Sequence, residues 1–425
     1  MKEIIKSIIK DFHESPLQEL IERKLSVPLN SKKIITVIGS RRSGKTYFLY
    51  QLMKELPKSV RREDIIYINF EDERLNLVAS DLQLILESYY ELYPYNKNPL
   101  YFFFDELQNI ENWEKFVRRI YDTVSRNIFI TGSSSKLLSK EIATSLRGRS
   151  ISYELFPLTF DEYLKFKNIR ADDLYSTKNK ARIVNAFNDY LSEGGFPEVV
   201  NYDRELRSKT MQSYLDVMIY RDIIERYDIK NASALRYFIV KSLSNVSNYF
   251  SVNKLFNELK SAGIKISKDS TYEFINYVND CYLVFLINKY SESISIQNAN
   301  DKKLYCIDNG IVNSVSFKFS GNKGRMLENA VYLHLKAAEE TVYYYKGKGE
   351  CDFIIHTDTK VNTAIQVTTE LNDVNKKRET EGLLEAMRYF KLNEGFILTI
   401  DETDEIIIDN KKINVMPAWR WMMVN

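Results

Sequence analysis

Gly39-Ser40-Arg41-Arg42-Ser43-Gly44-Lys45-Thr46 is the stretch that decides the fold of this chain. Ile34–Ile38, just before it, is a short apolar run of strand type. Leu49, Leu52, Met53 and Leu56, just after it, recur at helical spacing. A G-x-x-x-x-G-K-T string set between a strand and a helix reads as a phosphate cradle. Gly39 and Gly44 let the backbone turn so that the N–H groups of the loop face one anion-sized hollow. The following helix adds its free N–H groups and the positive end of its dipole. Lys45 would place a point charge on the β- and γ-phosphates of ATP, and the Thr46 hydroxyl is a candidate ligand for Mg²⁺.

Outward from the loop, strand and helix signals alternate. Ile65–Phe70, Tyr101–Phe104, Ile128–Thr131 and Ile151–Leu155 join Ile34–Ile38 as five short strand candidates. Trp113, Phe116, Val117, Ile120 and Val124 lie on one helical face between two of them. This alternation predicts an α/β domain with a parallel sheet and helices on both faces. In such a sheet, ligands bind beyond the carboxyl ends of the strands. Asp105 and Glu106 emerge at that end of the Tyr101–Phe104 run, which assigns Asp105 to Mg²⁺ and Glu106 to the water that attacks the γ-phosphate. In Ile128-Phe129-Ile130-Thr131-Gly132-Ser133-Ser134-Ser135, a hydroxyl at the strand end could reach the same water, and a plain Gly/Ser turn is the alternative. Arg147 and Arg149, in Leu146-Arg147-Gly148-Arg149, are candidates for stabilising transition-state charge in cis or in trans, or else are surface residues.

Composition narrows the remaining classes. The 425 residues suggest about two or three domains. Sixty Lys and Arg against 58 Asp and Glu leave a net charge of +2, which excludes a histone-like polycation but not a local basic face. Cys281, Cys306 and Cys351 lie far apart, and there are only 3 His, so a disulfide framework and a Cys- or His-built metal site are not expected. The longest apolar run, Cys281–Ile287, is far short of the ~20 residues a membrane helix needs. A soluble, cytoplasmic protein is expected. Residues 2–25 read as one amphipathic helix interrupted near Pro16.

Beyond residue 156 the pattern becomes helical, with Phe160–Phe166, Ala181–Ser192 and Glu205–Asp228 around Gly194-Gly195-Phe196-Pro197. Three further helices, Ala232–Val246, Val252–Ala262 and Lys268–Asp280, precede strand runs at Leu283–Tyr290 and Lys303–Ile307. Three helices and a β-hairpin fit a winged helix-turn-helix. The last hundred residues mix helices Gly324–Glu339 and Lys376–Lys391 with strands Val342–Lys346, Asp352–His356, Thr363–Thr368 and Glu394–Ile400, a small α/β domain.

Taken together, GSRRSGKT, FFFDELQN with Trp113, ITGSSS, LRGRSISYELFPLTFDEYL, EGGFPEVV and YRDIIERY resemble the prokaryotic AAA-type P-loop ATPases that carry a C-terminal domain of unknown function. The resemblance runs from about residue 20 to 400 and includes the order of the motifs. It implies a sheet in the order 5-1-4-3-2 and ATP binding with hydrolysis. It also implies a domain plan: a helical lead-in (1–28), a P-loop ATPase core (29–156), a helical lid (157–229), a winged helix (230–317) and a nuclease-like domain (318–425). Residue by residue it assigns Lys45 and Thr46 to the phosphate loop, Asp105 and Glu106 to the Walker B pair, Ser133 or Ser134 to the sensor, and Arg149 to the arginine after the glycine of LRGR.

The C-terminal part resembles the PD-(D/E)xK nuclease fold, with Glu328, Asp352 and Gln366 at its acidic and E/Q positions. Thr368 stands where that motif wants Lys, and Lys346, Lys348 or Lys360 could substitute from elsewhere, although no spacing forces that. A retained fold without catalysis is therefore expected, with Glu328, Asp352 and Gln366 as a vestigial site. In the winged helix, Ser270, Thr271, Tyr272 and Asn276 are the residues placed to touch DNA, flanked by Lys260 and Lys265. That surface is poor in positive charge for a phosphate binder. Two readings follow: an ATPase cycling its lid and winged helix, on double-stranded DNA in one version, or a slow nucleotide switch docking a protein partner or a second copy. An ATP-regulated nuclease is the third. The tail Trp419-Arg420-Trp421-Met422-Met423 reads as packing.

Overall fold

The computed structural model describes residues 1–133, 144–171, 176–315, 323–357 and 360–424. They form two compact units, Met1–Leu155 and Phe156–Asn425.

In the first unit, chain order runs α1 (Lys2–Glu14), β1 (Ile34–Ile38), α2 (Lys45–Glu55), β2 (Ile65–Asn69), α3 (Gln83–Leu92), β3 (Tyr101–Asp105), α4 (Glu114–Thr123), β4 (Asn127–Gly132) and β5 (Ser150–Glu154). All five strands pair in parallel in the order β2-β3-β4-β1-β5, the expected order read from the other edge. Central strands buried on both faces read as continuous apolar runs, and Phe102, Phe103 and Phe104 are fully buried. Phe103 stacks on Phe129 at 4.6 Å, packed against Phe48 and Leu52 of α2. Parallel pairing brings Ile38, Asp105 and Gly132 to one edge of the sheet, and the functional loops leave from there.

The helix expected over residues 2–25 stops at Glu14. Ser15, in the extended conformation, precedes Pro16, as sterics before a proline favour. Beyond it Leu17, Leu25, Val27 and Leu29 pack on the Phe48–Phe103 core without a helix. Helix α3 carried no signal in the motif reading. It is held against α1 by Lys2, whose ammonium lies 2.9 Å from Glu87 and 2.7 Å from Glu91.

The second unit begins with α5 (Phe160–Phe166), α6 (Thr177–Glu193) and α7 (Arg204–Val217), which runs on as a π-helical segment, Met218–Glu225. A Thr159–Glu162 capping box starts α5. Next come α8 (Ala232–Leu243), β6 (Asn248–Phe250), α9 (Val252–Ser261), α10 (Lys268–Asp280), β7 (Val284–Ile287), α11 (Ile294–Ala299) and β8 (Lys302–Cys306). The expected hairpin is a three-stranded antiparallel sheet, β6-β8-β7, with α11 inserted between its last two strands.

After α12 (Asn309–Val315) and α13 (Lys323–Ala337), a six-stranded mixed sheet follows. It comprises β9 (Thr341–Lys346), β10 (Glu350–Thr357), β11 (Lys360–Val367), β12 (Glu394–Thr399), β13 (Asp404–Ile408) and β14 (Lys411–Pro417) in the order β13-β14-β12-β11-β10-β9. Helix α14 (Lys376–Tyr389) lies on β10 so closely that a Cβ on Gly382 would sit 2.2 Å from the Glu350 carbonyl. The terminal α15 (Ala418–Val424) buries Trp419 and Trp421, in keeping with their reading as packing residues. Residues β13 and β14, not foreseen, extend this sheet past the last expected strand.

Candidate functional site

The phosphate loop joins β1 to α2. A Cβ on Gly39 would lie 2.2 Å from the Leu155 carbonyl, so only glycine lets the loop leave β1 this close to the end of β5. Gly44, at φ 96°, turns the chain into α2 as its N-cap. Ser40 and Ser43 keep buried hydroxyls without a protein partner. Arg41 reaches Glu71 at 3.2 Å, and Arg42 is exposed with φ 64°. Arg23, from the stretch before β1, donates from Nη1 to the Ser43 carbonyl at 2.8 Å. Gln51 of α2 pins its backbone on both sides, accepting from the Arg23 N–H at 2.8 Å and donating to its carbonyl at 3.1 Å.

Lys45 is 4% exposed and curls back over the loop. Its ammonium donates to the carbonyls of Gly39 at 3.2 Å and Ser40 at 2.9 Å, and lies 3.4 Å from Glu106 Oε1. Thr46 Oγ1 donates to Asp105 Oδ2 at 2.7 Å. Asp105 closes β3 fully buried and also accepts from the hydroxyls of Tyr67, at 3.2 Å, and Thr131. Glu106 turns away in the left-handed region, φ 53°. Its N–H donates to Thr131 Oγ1 at 3.0 Å, and its Oε2 accepts from Gln108 Nε2 at 2.5 Å and from the Ser133 N–H at 3.1 Å.

The two adjacent carboxyls are driven apart. Burial pushes Asp105 up against the hydrogen bonds from Thr131 and Thr46. Burial acts the same way on Glu106, but the Lys45 charge and the bonds from Gln108 and Ser133 outweigh it and hold that carboxyl below its usual range. A carboxylate kept ionised beside a phosphate cradle can orient or deprotonate water.

The structure therefore brings Gly39–Thr46, Asp105, Glu106 and Ser133 to one place. Ser133 takes part through its backbone N–H, while its hydroxyl lies 3.4 Å from Gln108 Nε2. Ser134 lies outside the described residues. Arg149 does not join this group. It precedes β5, whose Ser150 pairs with Ile34 at the start of β1, so it sits at the edge of the sheet opposite the loop. There it pairs with Asp122 at 3.1 Å through both Nε and Nη2. Five strand residues separate the two edges, a span of roughly 16 Å, so of the alternatives left open for Arg149, cis, trans or surface, this arrangement does not meet the first. Tyr67, Gln108, Thr131 and Arg23 were not singled out. Thr131 and Gln108 stand inside the quoted strings, but their role depends on strand pairing that no local pattern contains.

A second constellation lies in the C-terminal sheet. Glu328 of α13, Asp352 of β10 and Gln366 of β11 do converge. The Asp352 N–H donates to Gln366 Oε1 at 3.3 Å, and Gln366 Nε2 donates to Glu379 at 2.7 Å. None of Lys346, Lys348 and Lys360 is bonded to this group: Lys346 lies over the Tyr249 ring at 3.9 Å, and Lys348 and Lys360 are exposed. The lysine that meets the carboxylates is Lys303 of β8, 2.8 Å from Asp352, 2.8 Å from Glu350 and 3.3 Å from Glu328. Burial opposes its charge, yet the carboxylates around it raise its pKa well above the usual lysine value. Among the described residues, no group of three or more His, Cys, Asp or Glu is arranged to hold a metal ion. No helix among them is long and apolar enough to cross a membrane. On α10, Thr271 is buried and bonds the Ser267 carbonyl, and Ser270 is half-buried, so of the residues expected to touch DNA only Tyr272 and Asn276 are exposed.

Residues 31–164 match the family model of an AAA domain, and residues 184–322 that of a domain of unknown function. An uncharacterized protein of Methanocaldococcus jannaschii is 41% identical over 418 residues, covering 95% of this chain and 91% of its own length. An uncharacterized protein of Haemophilus influenzae is 29% identical over 411 residues, covering 96% and 97%. Among solved structures, a Walker-type ATPase of Pyrococcus abyssi is similar over 74% of this chain and 95% of its own, at 15% identity and a TM-score of 0.43.

Proposed function

Because this chain belongs to the family of its Methanocaldococcus jannaschii relative and carries an AAA domain, we propose that it binds ATP with Mg²⁺ and hydrolyses it. One observation carries this reading: Glu106, ionised and 3.4 Å from Lys45, is held by Gln108 and the Ser133 N–H at the exit of the phosphate loop. A mere nucleotide binder has no need of a carboxylate kept charged there. Lys45 would exchange the carbonyls of Gly39 and Ser40 for β- and γ-phosphate oxygens. Thr46 Oγ1 and Asp105, a hydroxyl and a carboxylate side by side, are a donor pair suited to a hard cation, and Mg²⁺ there would neutralise phosphate charge. Thr131 fixes the two adjacent acidic residues by donating to the Asp105 carboxylate and accepting from the Glu106 N–H. Arg149 is left with a role in trans, reaching the site of a second copy.

We read 157–229 as a lid, 230–317 as a winged helix and 318–425 as a nuclease-like domain without cleavage. Hydrolysis would drive the motion of these parts. The exposed face of α10 carries Lys268, Tyr272 and Asn276 beside Asp269 and Glu273. One positive charge against two negative ones suits a protein surface better than a phosphate backbone. That balance favours the second reading for this element, docking of a protein partner, with double-stranded DNA as the alternative.

Glu106→Gln keeps size and polarity but removes the base, so ATP should bind normally while turnover falls ~10²-fold or more. Turnover at the parental rate would sink the assignment of Glu106. Measuring the ATPase rate with and without double-stranded DNA, across protein concentration, separates the partners. Stimulation by DNA at fixed protein would overturn the protein-docking reading of α10.

A further inference from the structure

The C-terminal carboxylates are of the residue types that hold divalent ions, although among the described residues they are not arranged as a metal site, and the point between them is filled from outside their own sheet. Lys303 belongs to β8 of the three-stranded sheet, whereas Glu328 lies on α13 and Glu350 and Asp352 on β10 of the six-stranded one. The ammonium lies 2.8–3.3 Å from an oxygen of all three carboxylates, and its side chain is 4% exposed. Further bonds fix the carboxylates around the ammonium. Tyr305 donates at 2.7 Å to Oε1 of Glu328, the oxygen that also faces Lys303, and the Val367 N–H donates to the second oxygen of Asp352 at 2.9 Å. Gln366, the amide expected to offer oxygen to a cation, receives the Asp352 N–H and spends its own amine on Glu379.

We propose that Lys303 is the resident cation of this cluster, standing where a divalent metal ion would stand and closing the site to one. A lysine ammonium and a small divalent ion both seek several carboxylate oxygens at once, and here the ammonium already holds the point between the three. A covalently attached cation cannot exchange, so the cluster ties β8 to α13 and β10 permanently instead of loading and releasing metal. This also gives the absent lysine at position 368 a different meaning. Position 368 holds Thr, and the positive charge among the carboxylates comes from Lys303 on β8 of the other sheet. The inference is independent of ATP hydrolysis in the first unit.

The test uses the full chain without nucleotide and Mn²⁺ as the probe, followed by electron paramagnetic resonance and by thermal melting. Wild type and Lys303→Arg should show no Mn²⁺ binding that disappears on Asp352→Asn. Lys303→Met removes the charge while keeping the apolar stem, and should bind about one additional Mn²⁺ per chain, lost again in the Lys303→Met, Asp352→Asn double variant. Mn²⁺ should raise the melting temperature of Lys303→Met and leave that of the wild type unchanged. Asp352-dependent Mn²⁺ binding by the wild type would overturn the proposal, as would a folded Lys303→Met that binds no additional ion. Should Lys303→Met fail to fold, the wild-type titration against Asp352→Asn decides alone, absence of binding supporting the closed site and its presence refuting it.

Discussion

Lys45 and Lys303 are each buried to the same degree and each lie beside carboxylates, but they are held in opposite ways. Lys45 rests on two backbone carbonyls and a single carboxylate at 3.4 Å. Lys303 is met by three carboxylates, two of them at 2.8 Å. Neutral carbonyls are easily outbid by phosphate oxygens, whereas charge-assisted bonds to carboxylates are about twice as strong as neutral ones. A buried lysine thus marks a ligand site where its partners are replaceable, and a structural joint where they are not.

The contrast is broken most severely by removing Lys303. Buried Asp352, the nearly buried Glu328 and the half-exposed Glu350 would lose their counter-charge, and breaking a buried pair typically costs about 3–5 kcal/mol. Lys303→Ala should therefore lower stability in urea unfolding by that order while leaving ATP affinity of the folded fraction unchanged. Lys45→Ala should do the reverse. Loss of one charged contact to the β/γ-phosphates is expected to weaken ATP binding ~10²-fold, read by titration with a fluorescent nucleotide, with the melting temperature nearly constant.

Smaller effects sharpen the picture around Glu106. Thr131→Val deletes the hydroxyl that bonds both Asp105 and Glu106, and should cut turnover ~10-fold with little change in nucleotide affinity. Because Glu106 is held below its usual range, its ionised form persists at neutral pH and is lost only as pH falls through the lowered value. The ATPase rate should show no decline assignable to this group above the ordinary carboxylate range of about 4.3. By linkage, the stability this shift contributes is present above that range and disappears on acidification through the folded value. Arg149→Ala breaks an exposed pair with Asp122 worth ~0–1 kcal/mol, so at protein concentrations too low for association neither stability nor turnover should move appreciably. A loss of turnover that appears only on association would support action in trans.

How much of this was legible in advance depended on how local each feature is. The phosphate loop, the helix behind it and the acidic end of β3 were all readable, because eight contiguous residues dictate the loop and an apolar run ending in two carboxylates dictates the strand end. The second half of the helix expected over residues 2–25 was misread because Leu17 and Leu25 suit one helical face but instead cover the sheet, in a stretch that continues the same way through Val27 and Leu29. The hairpin β13–β14 escaped notice because β13, an edge strand, opens on Asp404 and Glu405, and its partner β14 opens on Lys411 and Lys412.

By itself the sequence determined the P-loop unit of this protein, since each group proposed to cradle phosphate is adjacent in the chain to the turn that aims it. Tertiary structure alone decided the rest. The order of five parallel strands brings Thr131 and Ser133 to Glu106 and carries Arg149 to the far edge. The packing of β8 against α13 and β10 places Lys303 among carboxylates 25 and 49 positions away along the chain. Contacts of that kind are set by which strand lies beside which and by a register that flips every side chain when it slips by one, and no local pattern of residue types encodes either.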